Sequence, residues 1–147
     1  MLSIRNFTST DMFSVIKIAS RNLSETYRPG IFNYFYESFS NGFLVAELDH
    51  KIIGFIIGTP INLDLAKILM LAVNRGYRHK KIGSKLVEKL LKIIINEGIS
   101  KVELEVRKDN KRAINFYLKH DFKIVGQIKG LYQNGKDAYL MKKNLKK

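Results

Sequence analysis

Apolar and polar residues alternate along Leu2-Ser3-Ile4-Arg5-Asn6-Phe7, the period of a strand with one buried face. Thr8-Ser9-Thr10-Asp11 follows with the spacing of a capping box, Thr8 as N-cap and Asp11 reaching back. Phe13, Ile16 and Ala19 or Ser20 then recur at helical spacing. Leu23 to Arg28 breaks the pattern and ends at Pro29-Gly30, and the aromatic-rich stretch Ile31 to Phe39 predicts a second short helix. Gly42 to Leu48 and Lys51 to Pro60 read as strands around a tight Asp49-His50 turn. Lys67 to Val73 is almost continuously apolar, as a strand covered on both faces would be.

A long amphipathic helix follows, carried by Ile82, Leu86, Leu90 and Ile94 with Val87, Leu91 and Ile95, and Glu97-Gly98 stops it. Val102, Leu104 and Val106 alternate with Glu103, Glu105 and Arg107 in a further strand. Asn110 is a good N-cap for a helix running to about His120. Two closing strands, Phe122 to Lys129 and Ala138 to Lys142, flank a Gln133-Asn134-Gly135 turn. The predicted order is β-α-α-β-β-β-α-β-α-β-β, an α+β (α/β) domain with a mixed sheet and helices on its faces. No internal repeat or linker interrupts it, so residues 1–147 read as one domain.

Composition narrows the chemistry. There is no cysteine, which excludes disulfides and thiolate metal sites. His50, His79 and His120 do not cluster with carboxylates at ligand spacing, so no metal is expected. The N-terminus lacks the apolar core of a signal peptide, and no run reaches membrane-span length, so the expected compartment is the cytoplasm. The 26 Lys+Arg against 13 Asp+Glu give a net charge of +13, which favours anionic partners without naming one. The tail Lys142-Lys143-Asn144-Leu145-Lys146-Lys147 reads as a solvated terminus.

Arg78-His79-Lys80-Lys81-Ile82-Gly83-Ser84 places that charge where chemistry can use it. The first amides of a helix have no intrahelical partner and point outward together, and the helix dipole adds positive potential. A strand-loop-helix junction of this kind suits an anion such as a pyrophosphate. Gly83 admits close approach to the backbone, and Ser84 can donate a further hydrogen bond. Neither GxxxxGK[ST] nor GxGxxG is present, and no G-x-S-x-G supports acyl-enzyme chemistry.

Leu71-Ala72-Val73, Arg78 to Ser84, Leu104-Glu105-Val106-Arg107, Asn110 and Ala113-Ile114-Asn115-Phe116-Tyr117 together resemble the GNAT acetyltransferase superfamily over nearly the whole chain. Asn22 to Tyr27 and Tyr132 to Tyr139 are similar to the two peptide-binding loops of its RimI-like branch and archaeal Nα-terminal acetyltransferases. The resemblance implies a mostly antiparallel sheet splayed between strands 4 and 5, acetyl-CoA as co-substrate, and protein or peptide N-termini as acceptors. It implies that Leu71, Ala72 and Val73 offer backbone groups to the pantetheine, that His79 to Ser84 hold the pyrophosphate, and that Asn110 anchors the pantetheine. Glu105 is then the base, through water, and Tyr117 the acid, with Glu25, Tyr27, Tyr132 and Tyr139 at the peptide terminus. Two positions depart from the family pattern. Lys81 stands at the first glycine of the phosphate loop, and Asp121 stands where glycine usually follows the last helix.

An α-amine, with a pKa of about 8, is about one-tenth free base near pH 7, whereas lysine is free at well under about a thousandth. A water-relayed carboxylate therefore suits the α-amine better. Three other readings stay open at this point. One is a GNAT enzyme acting on lysine, a polyamine or another small amine, and one is a catalytically silent GNAT domain. The third is a basic nucleic-acid or ribosome-binding module. The aromatics of Ile31 to Phe39 recur at helical spacing rather than on a strand face, so no specific nucleic acid is expected, while ribosome association is left open.

Overall fold

One seven-stranded sheet separates two hydrophobic cores. The computed structural model describes residues 1–145. The strands are β1 (Leu2–Asn6), β2 (Phe43–Leu48), β3 (Lys51–Pro60), β4 (Leu65–Val73), β5 (Lys101–Arg107), β6 (Lys123–Ile128) and β7 (Ala138–Asn144). They lie in the order β1-β2-β3-β4-β5-β7-β6, and every neighbouring pair is antiparallel except β4 and β5. Helices α1 (Met12–Asn22) and α2 (Pro29–Ser38) cover one face, and α3 (Ile82–Asn96) and α4 (Lys111–Lys119) the other. No helix among the described residues is long and apolar enough to cross a membrane.

The central strands bury side chains alternately into both cores. In β3, Ile53 and Ile56 face α3, whereas Phe55 and Ile57 face α1 and α2. Strand β4 does the same by a different device. Its partners in β3 skip Leu69: Met70 lies opposite Ile57 and Ile68 opposite Gly58. The extra residue is a β-bulge, and it reverses the side-chain alternation. Ala66 and Ile68 therefore pack toward α3, while Met70 and Ala72 pack toward α1 and α2. Gly58, beside the bulge, lets Leu90 of α3 lie directly on the sheet, because a Cβ there would fall 2.7 Å from Leu90 Cδ2.

The sequence pattern holds with a few corrections. Asp49 and His50 both have positive φ, as the two-residue hairpin requires, and Asp121 adopts the left-handed conformation expected at a glycine position. Pro29 does not end the break before α2; it is the first helical residue, where its fixed φ and missing N–H carry no penalty. Lys142, Lys143 and Leu145 are not solvated tail. Strand β7 runs to Asn144, Lys143 Nζ donates to His120 O (2.9 Å), and Leu145 packs on the α3-side core. Lys146 and Lys147 lie outside the described residues.

The capping segment at Thr8 became one 3-10 turn ahead of α1, and it carries the buried Asp11. Arg5 of β1 grips that carboxylate with both terminal nitrogens (2.8 and 3.0 Å), and Thr8 N–H donates to it (2.9 Å). Burial alone would push the Asp11 carboxyl up, but the Arg5 and Thr8 hydrogen bonds and the Arg5 charge together hold it below the ordinary carboxylate range. A depressed folded-state value adds stability that is complete above the ordinary aspartate range and is lost as pH falls through the lower, folded-state value. Asp11→Asn should therefore cost about 2 kcal/mol at neutral pH. It should also flatten the acid limb of stability, so that thermal melts of mutant and wild type converge as the pH drops below about 4.

Candidate functional site

Strands β4 and β5 pair at only three positions, Leu65 with Lys101, Ala66 with Val102 and Lys67 with Glu103, and then part. A cleft of about 410 Å³ opens in the fork. Its walls are Lys67 to Leu71 of β4, the Leu104–Arg107 half of β5, the start of α4, and the loops after α1 and before β7.

The direction of the β4 backbone decides which groups reach the cleft. Asn74 N–H donates to Ile53 O (2.8 Å), so residue 74 points its peptide groups at β3. Successive strand residues alternate, so Ala72 also faces β3, while Leu71 and Val73 face the fork. Of the three residues expected to offer backbone groups, Ala72 does not, and its side chain is buried in the α1–α2 core. Leu71 lines the cleft. Val73 O is already taken by Arg78 Nε (3.2 Å).

Arg78 is a clasp rather than a free cation. Its Nη2 donates to Asn22 Oδ1 (2.9 Å), and Asn22 Nδ2 donates to Asn74 Oδ1 (3.1 Å) and Ile18 O (2.9 Å). The guanidinium thus ties the end of α1 to the end of β4. Burial and the neighbouring Arg112 and Arg75 charges lower its pKa.

The rest of the basic loop keeps the shape of an anion site. Lys85 N–H is the first to bond within α3, to Lys81 O (3.1 Å), which leaves the amides of Ile82, Gly83 and Ser84 at the open helix end. His79 and Lys81 both have positive φ, and Lys81 caps α3 in the left-handed conformation. That conformation is the reason glycine suits position 81. The Ile82 side chain is core, so only its amide is offered. A Cβ on Gly83 would meet the Phe116 ring at 3.5 Å, an ordinary contact. Ser84 Oγ shares a hydrogen bond with His120 Nε2 (2.9 Å), and burial holds that imidazole below its ordinary range. Lys80 Nζ lies 5.8 Å from the Tyr77 ring centre.

Glu105 and Tyr117 line the cleft itself, together with Glu25, Tyr27, Asn110 and Tyr132. Asn110 Oδ1 accepts from Ala113 N–H (3.2 Å), the predicted cap of α4. Burial pushes the Tyr117 phenol well above its usual value, and the neighbouring Tyr132 adds to the effect. Tyr132 is pushed up to about 12 by burial and by the negative charge of Glu105. Burial and Glu25 raise Tyr27. All three phenols are neutral at physiological pH.

Tyr139 does not join them. It pairs with Val106 across β5 and β7, which turns its side chain to the opposite sheet face from Glu105. There its ring lies under Lys108 Nζ (5.2 Å).

The pattern of the acetyltransferase (GNAT) family matches residues 12–122. The chain belongs to the acetyltransferase (GNAT) family. It is 34% identical to an N-alpha-acetyltransferase of Sulfurisphaera tokodaii, over 94% of this chain and 90% of that protein. Identity to the N-alpha-acetyltransferase of Saccharolobus solfataricus is 32%, over 97% and 93%. The fold of Ard1 from Thermoplasma volcanium superposes with a TM-score of 0.97 at 31% identity, covering 99% of each chain.

Sequence reasoning missed several residues in and around the cleft. Lys67 is the one charge in the apolar run of β4, and it forms an ion pair with Glu105 (2.9 Å). Arg112 lines the cleft from α4. Gln133 joins the two acceptor loops: its side chain exchanges hydrogen bonds with the Thr26 backbone (both 3.3 Å), and its N–H donates to Glu25 Oε1 (3.2 Å). No group of three or more metal-ligating side chains lies within reach of one ion among the described residues.

A left-handed conformation costs a residue other than glycine about 1–2 kcal/mol, part of which glycine returns through its freer unfolded chain. Lys81→Gly should therefore raise stability by about 0.5 kcal/mol, and thermal melting should show a gain of about 1–2 °C. A loss of stability would mean that the Lys81 side chain does more for the loop than its backbone conformation costs.

Proposed function

We propose that this chain transfers the acetyl group of acetyl-CoA to the α-amine at the N-terminus of a protein or peptide, in a ternary complex. The observation that carries the reading is one cleft bounded by the free edge of β4 on one side and by Glu105 and Tyr117 on the other. The open α3 N-terminus lies in the loop that follows that edge. Relatives named for Nα-acetylation share about a third of its residues over almost their whole length.

Acetyl-CoA supplies a thioester whose carbonyl carbon is open to attack. Leu71 and the Val73 amide would pair with the extended pantetheine arm as another strand would, and the Val73 N–H can stabilise charge on the carbonyl oxygen. The amides of Ile82, Gly83 and Ser84, with Lys80, Lys81 and Arg112 nearby, suit the pyrophosphate. Asn110 keeps its side-chain amide nitrogen for the arm.

The acceptor nitrogen forms a bond to the carbonyl carbon as the carbon–sulfur bond breaks. Glu105 takes the proton that the nitrogen sheds, through a water. The Tyr117 phenol, held neutral, donates a hydrogen bond to the departing sulfur. A thiol titrates near about 8.5, well below a buried phenol, so Tyr117 stabilises the thiolate more readily than it surrenders a proton to it. The products are the N-acetyl terminus and free CoA. Glu25, Tyr27 and Tyr132 line the acceptor end. A polyamine would want a cluster of unengaged acids, whereas Glu25 accepts from Gln133 and Glu105 is paired with Lys67. The net charge of +13 suits docking on the phosphate-rich surface of a ribosome, where new N-termini emerge.

The test is acetyl transfer to short peptides with free or blocked α-amines, with a lysine-only peptide alongside. Transfer to free α-amines alone is expected. Glu105→Gln should lower kcat by about 10²-fold or more, and Tyr117→Phe by about tenfold. Acetyl-CoA binding without transfer to any α-amine would overturn the reading.

A further inference from the structure

Lys67 occupies the last paired position before β4 and β5 separate, opposite Glu103. Its side chain does not stay with Glu103, which lies 3.8 Å from Lys142. It leans across the fork and places Nζ 2.9 Å from Glu105 Oε1. Both residues line the cleft, and their side chains are 22% and 26% exposed. An ion pair this open to water adds little to stability. Its effect falls on the cleft, where Glu105 would otherwise be an unpaired carboxylate.

A lone carboxylate beside the acceptor site would be a poor base for this reaction. An opposite charge within about 4–6 Å stabilises the charged form of its neighbour, so Glu105 alone would hold the acceptor as its unreactive ammonium. With Lys67 on Oε1 the pair sums to nearly zero charge, and the lysine's own charge disfavours a second cation. Lys67 Nζ contacts Oε1 alone, which leaves Oε2 to the relaying water.

We propose that Lys67 is a positioning residue for the acceptor: by occupying Glu105 Oε1 it denies that carboxylate to an incoming ammonium, so the cleft takes up the amine in its neutral, nucleophilic form. The inference rests on the Nα-acetyltransferase reading. It adds no step, since the amine still gives its proton to the water held by Glu105.

The other charged and titratable groups around the pair leave this role to Lys67. Tyr27 and Tyr132 from the loops and Tyr117 from α4 are neutral. On β5, Arg107 is engaged by Asp109, which also binds Lys136 (2.8 Å). Glu103 is matched by Lys142 of β7. Glu25 is the cleft's other carboxylate, with Oε1 accepting from Gln133 N–H, and Arg112 contributes a further cation from α4.

The experiment is a pH profile of kcat and KM for an α-amine peptide between pH 6 and 10, at saturating acetyl-CoA, on wild type, Lys67→Met, Lys67→Gln and Lys67→Arg. Thermal melts confirm that each variant folds. The neutral variants should move the acid limb of kcat up by about one pH unit, so that kcat at pH 7 falls about tenfold and recovers at pH 10. KM at pH 7 should fall with it, because the ammonium now binds unproductively. Arginine should restore the wild-type limb. An acid limb that stays in place in Met and Gln overturns the inference, and so does an Arg variant that behaves like Met. A wild type active on α-amines with an unmoved limb in the neutral variants sinks this inference alone. A wild type that binds acetyl-CoA but acetylates no α-amine sinks the functional reading and this inference with it.

Discussion

The pairing of β4 with β5 stops after three residues, and the site depends on that interruption. A parallel pair continued to the ends of both strands would satisfy the backbone groups of Leu71 and Val73 and leave no space between Leu71 and Glu105. Unpaired strand edges are usually a liability, because they invite any passing strand. Here the edge opens into a cleft that the loops after α1 and before β7 also line. Strand β3 keeps β4 in the sheet along its other edge, and β7 does the same for β5, so the fork opens without unravelling either strand. The bulge at Leu69 lies within the open half of β4 and sends Met70 and Ala72 into the α1–α2 core. The strand is thus fastened on one face just where its edge is free.

Hydrogen bonds tie the loop before α3 to the walls of the cleft. Arg78 begins the anion loop, yet its hydrogen bonds run to Val73 on β4 and to Asn22, the residue that opens the acceptor loop. Gln133 then ties that acceptor loop to the one before β7. One chain of hydrogen bonds thus runs from the loop before α3 through Asn22 to the end of α1. Charge follows the same division. Cations gather in the loop before α3, whereas in the cleft Glu105 is paired with Lys67, Glu25 accepts from Gln133, and the tyrosines are held in the phenol form by burial.

Most of the fold was legible in the sequence because it is written in short-range patterns. The apolar spacing of α3, the alternation of β5, the Asn110 cap and the Asp49-His50 turn each depend on neighbours a few residues away. The Glu105 and Tyr117 pairing came from a family resemblance, and the structure brings both into one cleft. What escaped depends on register and on distant partners. The alternation that hides Ala72 is fixed by β3, and the face of Tyr139 by its pairing with Val106. Arg78 looked like a phosphate ligand because its partner Asn22 lies 56 residues away. Lys67 reads only as the first residue of an apolar strand, since nothing local points to Glu105. The Thr26 and Gln133 bridge spans 107 residues and leaves no mark in either loop alone.

Residue-resolved amide hydrogen exchange, measured by NMR with and without saturating CoA, tests the role of the open β4 edge most directly. Leu71 and Val73 should gain strong protection when CoA binds. Ala72, already bonded to β3, should be protected in both states and change little. Unchanged exchange at Leu71 and Val73 under saturating CoA would contradict the account, because the donor would then be held somewhere other than the edge that the fork leaves free.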